Sequence, residues 1–353
     1  MKDPHVRIGT FPVGDGAPPV FLAEVGTFFN QSLEQARSYA RRIAAAGPVV
    51  FKTEILHDPG ICLAGTGIQA AYAHAQGRCI EDYRQLIERK CNPLSFYADL
   101  MALCRELDVP FVASVYDTAA VDFMVAHGGA ALKIARNNVD HLPLIRHCAQ
   151  SGLPIIFDAG GLYVWEIVRA VEEARRHGAV GVIVNHHPGA NPTPAELHNL
   201  SAIPAYKALL DCPVGLSCHY RGEQMMYAAV ALGANLIEKG VCDDPDEAEQ
   251  DVVTAAPIGS LPDILRVMTE CWQAIGHFPT LPREPRDLDT RSGLIARRDL
   301  RPGDVIDVEN VGFAWPASGI PVGSWDQAAG RRLGCAVAAG QPVPWHAVEG
   351  PPA

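Results

Sequence analysis

From Val20 to about Ile275 the chain repeats one unit: a short apolar run, a polar turn, then a stretch with helical spacing. The runs are VFLAEVG from Val20, VVFKTEI from Val49, PFVASVY from Pro110, AALKIA from Ala130, PIIFDAG from Pro154, AVGVIVNH from Ala179, PVGLSCH from Pro213 and NLIEKGV from Asn235. Near-continuous apolarity is what a parallel strand needs when both of its faces are covered. Eight such strands alternating with helices over roughly 250 residues fit a (β/α)8 TIM barrel, with an open doubly wound sheet as the alternative. Local signals agree. Ser32 and Gln35 predict a capped helix to Ala46, and Asp117 predicts a cap for AAVDFMVAHG. The string Gly65-Thr66-Gly67-Ile68-Gln69-Ala70 resembles a dinucleotide-binding loop but does not directly follow a strand, so it is set aside.

After Gly276 the texture changes. Residues 278–290, FPTLPREPRDLDT, carry three prolines and five charges and read as an extended linker. Residues 291–353 alternate short Val, Ala and Ile runs with turns such as Arg301-Pro302-Gly303-Asp304, a small β-rich domain. The expected division is a barrel over 1–277, the linker, and the small domain. Several classes are excluded. The net charge of −11 and dispersed basic residues argue against nucleic-acid binding. No apolar run reaches the ~18–20 residues of a membrane span. The start, MKDPHVRIGT, lacks a signal-peptide core, so a cytoplasmic protein is expected. Ten cysteines without a CxxC pair predict free thiols.

In a TIM barrel the active site forms at the C-terminal ends of the strands. Those ends collect Glu24, Lys52, Glu54, Ser114, Lys133, Asp158, His186, Ser217, His219 and Glu238. Inward positions are two apart, so Lys52 shares a face with Glu54, and Ser217 with His219. So many polar groups at one mouth are costly to bury unless they are paired or hold a ligand. Lysines with a hydroxyl suit an anionic, phosphorylated ligand. His219 suits a divalent metal or a general base, and Glu24, Glu238 and His186 are candidates for moving protons. Spacing alone names no reaction.

The strings LAEVG, VVFKTE, FVASVYD, ALKIA, LPLI, NPTP, AIPAYK, PVGLSCH, AAVALGA and LIEKG run in the order of the N-acetylneuraminate (sialic acid) synthase family. RSGLIARRDLRPGDVI, WPASGIP, WDQAAG and AVAAGQPV resemble that family's antifreeze-like SAF domain. The resemblance implies a barrel that condenses phosphoenolpyruvate with an N-acyl hexosamine or related aldehyde, giving a 2-keto sugar acid. It also implies a divalent metal, commonly manganese or magnesium, and a homodimer whose SAF domains are swapped over the partner's barrel. By the same resemblance Lys52, Ser114, Lys133, Arg136 and Ser217 bind phosphoenolpyruvate. Glu24 and Glu238 are catalytic, and His219 is a metal ligand. Glu54, Asp251, Phe28, Phe29 and Trp315 fall on acceptor-binding positions.

Departures from the family pattern cluster at the site. By the resemblance, the second metal histidine is Gly240, the aspartate beside the first is Cys218, and the asparagine-histidine pair after strand one is Phe28-Phe29. Arg136 replaces a serine, Asn138 a glutamate, Asp158-Ala159 a serine-threonine pair, and Trp315 the SAF arginine. Cys242 or Glu238 is then expected to complete the metal shell, with zinc or iron favoured if sulfur is a ligand. Arg136 is expected to contact an anion or to pair with Asp158. The resulting expectation is an enzyme with an altered acceptor. The alternatives are a metal-independent aldolase or lyase using Lys52 or Lys133 as a Schiff base, and a non-catalytic binding protein.

Overall fold

The eight apolar runs become eight parallel strands that close on themselves. In the computed structural model, which describes residues 6–247, 249–276 and 290–350, they are β1 (Val20–Gly26), β2 (Val50–Glu54), β3 (Phe111–Ser114), β4 (Ala131–Ile134), β5 (Ile155–Asp158), β6 (Val182–His186), β7 (Val214–Cys218) and β8 (Leu236–Cys242). Each pairs with the next, and β8 pairs with β1 to close a TIM-type barrel. A two-residue strand, Ala256–Pro257, adds beside Cys242. Helices on the outside follow the predicted caps: Ser32 Oγ accepts from Gln35 N at 3.2 Å and Asp117 Oδ1 from Ala120 N at 2.8 Å.

Alternation along each strand sorts side chains into two cores. Outward residues such as Phe21, Ala23, Phe51, Ala113, Leu132 and Phe157 pack on the helices. Inward residues Val20, Leu22, Val50, Val112, Ala131, Ile156, Ile183 and Leu236 fill the lower barrel. An antiparallel hairpin of Val6–Ile8 and Phe11–Val13 brings Ile8 and Val13, both fully buried, into that lower layer. A second hairpin, Gln69–His74 with Gly77–Asp82, sits between β2 and β3 and carries no signal that the sequence reading used.

The chain divides into two units, Met1–Ile275 and Gly276–Ala353. The expected linker, apart from Thr290, lies outside the described residues. The second unit pairs Gly293–Ala296 with Val311–Ala314 over its own core of Leu294, Leu300, Ile306, Val311, Ile320, Leu333 and Val343. Its strands are shorter than a β-rich domain suggests, and isolated bridges such as Leu300 with Val337 complete the pairing. No helix among the described residues is long and apolar enough to cross a membrane.

The barrel interior leaves no slack where the apolar floor meets the polar layer. A methyl on Gly215 would collide with Asn185 Oδ1 and sit 2.6 Å from the Leu236 carbonyl oxygen. Gly215→Ala is therefore expected to destabilise the barrel by about 1–3 kcal/mol through overpacking. Urea unfolding read by far-ultraviolet circular dichroism checks this, and an unchanged midpoint would show a looser interior than described.

Candidate functional site

Above the apolar floor, the inward positions switch from hydrocarbon to charge. The switch is set by strand register: Glu24 lies beside Lys52, Ser114 beside Lys133, Asp158 beside Asn185, and Ser217 beside Glu238. The side chains form a chain of contacts. Lys52 Nζ pairs with Glu24 and lies 3.9 Å from Glu238. Lys133 Nζ pairs with Glu238 and lies 3.3 Å from Asp158 Oδ2. Asp158 Oδ1 takes a 2.7 Å bond from His187 Nδ1. Asn185 Nδ2 and Ser217 Oγ donate to the two oxygens of Glu238 at 3.2 and 3.4 Å.

Burial and pairing set the charge states. Burial alone would raise the Asp158 carboxyl, but His187 and Lys133 outweigh it and hold it well below the usual range. Glu238 is likewise lowered, Lys133 and Lys52 overcoming its burial. Burial works against the Lys133 ammonium, yet Glu238 and Asp158 raise its pKa. Glu24 goes the other way: burial, against the pull of Lys52, pushes it up to about 8. Burial and the neighbouring His187 hold His219 well below the usual imidazole value, so it is neutral. Both Glu24 oxygens and Asn185 Oδ1 are buried here without a hydrogen-bond partner, Glu24 Oε2 being met by the Lys52 ion pair.

The mouth is a cavity of about 530 Å³ lined by this ring and by loop residues above it. Glu54, Tyr83, Tyr116, Lys90, Asn138, His141, Asn191, Asp251 and Thr254 form the outer wall. Two clamps hold that wall. Arg89 bonds Glu249 at 2.6 Å and Glu81 at 2.9 Å, with Lys90 3.4 Å from Glu249. Asn191 Nδ2 donates to Asp251 Oδ1 at 2.6 Å, and burial raises the Asp251 carboxyl.

Most sequence-predicted residues meet in this cavity: Glu24, Phe28, Lys52, Glu54, Ser114, Lys133, Arg136, Ser217, His219, Glu238 and Asp251 all line it. Four do not. His186 points outward, its Nε2 2.7 Å from the His198 carbonyl oxygen, and His187 takes the pocket position. The alternation Ile183, Asn185, His187 carried that signal, and both Asn185 and His187 were missed. Phe29 is fully buried in the outer core with its ring 5.2 Å from Phe96, because adjacent residues face opposite ways. Cys242 packs with Phe28, Val252 and Ala255, and burial pushes its thiol up to about 12. Trp315 belongs to the second unit and is 73% exposed. Arg136 donates to the Gly189 carbonyl at 3.0 Å and leaves Asp158 to Lys133 and His187.

A metal held by histidines at 219 and 240 does not fit this donor set. A Cβ on Gly240 would touch Ala255 at 3.2 Å and the Phe28 ring at 3.7 Å, so apolar atoms fill the space a side chain there needs. The Cys242 thiol is protonated in that apolar cluster, and Glu238 is committed to Lys133, Asn185 and Ser217. Among the described residues, no group of three or more His, Cys, Asp and Glu side chains is arranged to hold a metal ion.

Residues 59–279 match the model of the NeuB family and residues 291–349 that of the SAF domain. The chain is 24% identical to an N,N'-diacetyllegionaminic acid synthase of Legionella pneumophila, over 97% of this chain and 98% of that protein. It is 23% identical to a pseudaminic acid synthase of Helicobacter pylori, over 92% and 96%. A putative spore coat polysaccharide biosynthesis protein E from Chromobacterium violaceum superposes with a TM-score of 0.77 at 20% identity, covering 94% of this chain and all of that one (100%). The N-acetylneuraminic acid (sialic acid) synthetase of Leptospira borgpetersenii gives a TM-score of 0.71 at 21% identity, over 80% and 94%. With its barrel and its C-terminal module both matched in order, the chain belongs to the NeuB family and carries a SAF domain.

Proposed function

We propose that the protein is a phosphoenolpyruvate-dependent synthase that forms a carbon–carbon bond to a hydroxylated aldehyde, giving a 2-keto-3-deoxy sugar acid. The observation that carries this reading is the floor of the cavity. Two buried lysines, Lys52 and Lys133, line it together with the Ser114 and Ser217 hydroxyls. The matched relatives named as legionaminic and pseudaminic acid synthases support the same class.

In this reading Lys52 and Lys133 hold the phosphate and carboxylate of phosphoenolpyruvate, with Ser114 and Ser217 donating to its oxygens. C3 of the enolpyruvate attacks the aldehyde carbon, and the aldehyde oxygen takes a proton. Water adds at C2, and the C2–O bond to phosphate breaks, releasing inorganic phosphate and the 2-keto acid. Glu24, whose carboxyl keeps its proton up to about pH 8, supplies the proton to the aldehyde oxygen. Glu238 positions Lys133 and Ser217. Glu54 and Asp251 receive acceptor hydroxyls, and Phe28 gives the acceptor side an apolar face. A divalent metal supplies carbonyl polarisation when bound in such enzymes. The family homodimer belongs to this reading as well, with Trp315 reaching the partner's cavity.

Schiff-base chemistry is the less favoured reading, because it needs a neutral amine. Lys133 is held protonated by Glu238 and Asp158. The lysine whose pKa burial lowers is Lys239, and it is spent on the Tyr220 and Gly222 carbonyls at 2.6 and 3.0 Å.

Two expectations follow for the ring. Calorimetric titration with phosphoenolpyruvate should give binding that Ser114→Ala and Ser217→Ala each weaken about tenfold, the worth of one hydrogen bond to a charged group. Lys52→Met and Lys133→Met should abolish it. Undetectable binding to the wild-type protein overturns the reading, and bridging oxygen-18 recovered in phosphate tests the C–O cleavage. Glu24 also makes stability depend on pH. Its folded pKa of about 8 lies above the ordinary carboxyl value of 4.5, so folding retains a proton that unfolding releases. Its contribution is full below about pH 4.5 and is lost as the pH rises toward 8. The melting temperature of Glu24→Gln should therefore gain on that of wild type between pH 5 and 9, whereas parallel curves would contradict the raised carboxyl.

A further inference from the structure

The ligand missing at Gly240 has a counterpart on the other side of His219. His187, at the end of β6, and His219, at the end of β7, line the same cavity with their rings stacked at 4.3 Å between centroids and 18° between planes. Each ring has its Nδ1 engaged by an acceptor: His187 by Asp158 Oδ1 at 2.7 Å, and His219 by the Ser217 carbonyl oxygen at 3.3 Å. Metal-ligating histidines are held in this way, one ring nitrogen donating to a carboxylate or backbone carbonyl and the other left for the ion. No hydrogen bond engages either Nε2 among the described residues. Room for the His187 ring is built into the backbone, because any Cβ on Gly160 would collide with it.

The proposal deepens the phosphoenolpyruvate reading, in which an ion at this place adds a cation to the cavity that Lys52 and Lys133 line, but it stands on the imidazole geometry alone.

We propose that this chain binds a first-row divalent transition ion through Nε2 of His187 and His219, displaced by one strand from the β7–β8 position, with Asp158 holding His187 in place. Two imidazoles with oxygen from water or substrate suit manganese, iron, cobalt or zinc over magnesium or calcium. A shared ion requires the two stacked rings to turn apart, so binding is expected to perturb both histidines together.

The test is titration of EDTA-treated protein with Co2+ alone, followed by visible absorption and calorimetry. One ion per chain is expected. His187→Ala and His219→Ala should each lower the affinity at least about 100-fold, and Asp158→Asn about 10- to 100-fold. Cys242→Ala should leave it unchanged. Circular dichroism melts establish that the variants fold, and His187→Gln serves if the alanine variant does not. Electron paramagnetic resonance of the Cu2+ form should resolve two imidazole nitrogens in wild type and one in His187→Gln. Absence of binding at millimolar Co2+, or affinity unmoved by both His187 variants, overturns the site. Phosphoenolpyruvate titrated with and without Co2+ separates the two readings. Metal binding without phosphoenolpyruvate binding keeps the site and removes that ligand. Phosphoenolpyruvate binding without any metal binding does the reverse.

Discussion

Everything in the upper barrel depends on one run of paired polar groups, from the protonated Glu24 through Lys52, Glu238, Lys133 and Asp158 to His187. The four inner members are buried and the two ends, Glu24 and His187, nearly so, and no charged member is tolerable alone. Removing one partner of such a pair strands the other in low dielectric at about 3–5 kcal/mol, while the intact pair stabilises the fold little or not at all. An apolar layer would fold as well. The ring therefore holds groups for a task, and it holds them in fixed positions because six strands supply them in register. The floor beneath is dry hydrocarbon closed by Ile8 and Val13, which keeps the field of the ring from being screened below.

Gly240 and Phe28 belong to one packing unit. Gly26, in the left-handed region at φ 47°, turns the chain after β1, and Thr53 Oγ1 pins its carbonyl at 2.6 Å. Phe28 then lies against Val252, Ala255 and Cys242, over the space that a longer residue at 240 would claim. A histidine placed at 240 would meet Ala255 and the Phe28 ring, so the position takes a longer side chain only if the loop moves with it. The same packing explains why Cys242 is no ligand: a thiol in an apolar cluster keeps its proton, and metals take the thiolate.

The fold was legible because its signals are periodic. Eight apolar runs alternating with helical stretches point to a parallel α/β barrel, and the two-residue alternation correctly joined Lys52 with Glu54 and Ser217 with His219. Where reading failed, alternation had been dropped. Carried one step past Ile183, it assigns Asn185 and His187 inward and His186 outward, and it separates Phe28 from Phe29. The second hairpin and the outer wall were not legible. Tyr83, Lys90 and Asn191 reach the cavity through the Arg89–Glu249 and Asn191–Asp251 clamps, contacts between segments far apart in sequence that no local pattern encodes.

The two halves of the cavity are thus held by different physics. The inner half hangs on hydrogen-bonded strands, where a shift in one residue moves a charge against its neighbour and is penalised at once. The outer half hangs on loops fixed by a few polar clamps. Exchanging a side chain there alters the wall without disturbing the ring. Phe28, in the turn after β1, and Arg136 and Asn138, in a one-turn 3-10 helix after β4, are such wall positions. Asp158 breaks this pattern, since it stands within the ring itself. A buried carboxylate there is tolerable only with partners, and it has two, His187 at 2.7 Å and Lys133 at 3.3 Å. What the first of these pairs adds to the cavity is an oriented imidazole beside His219.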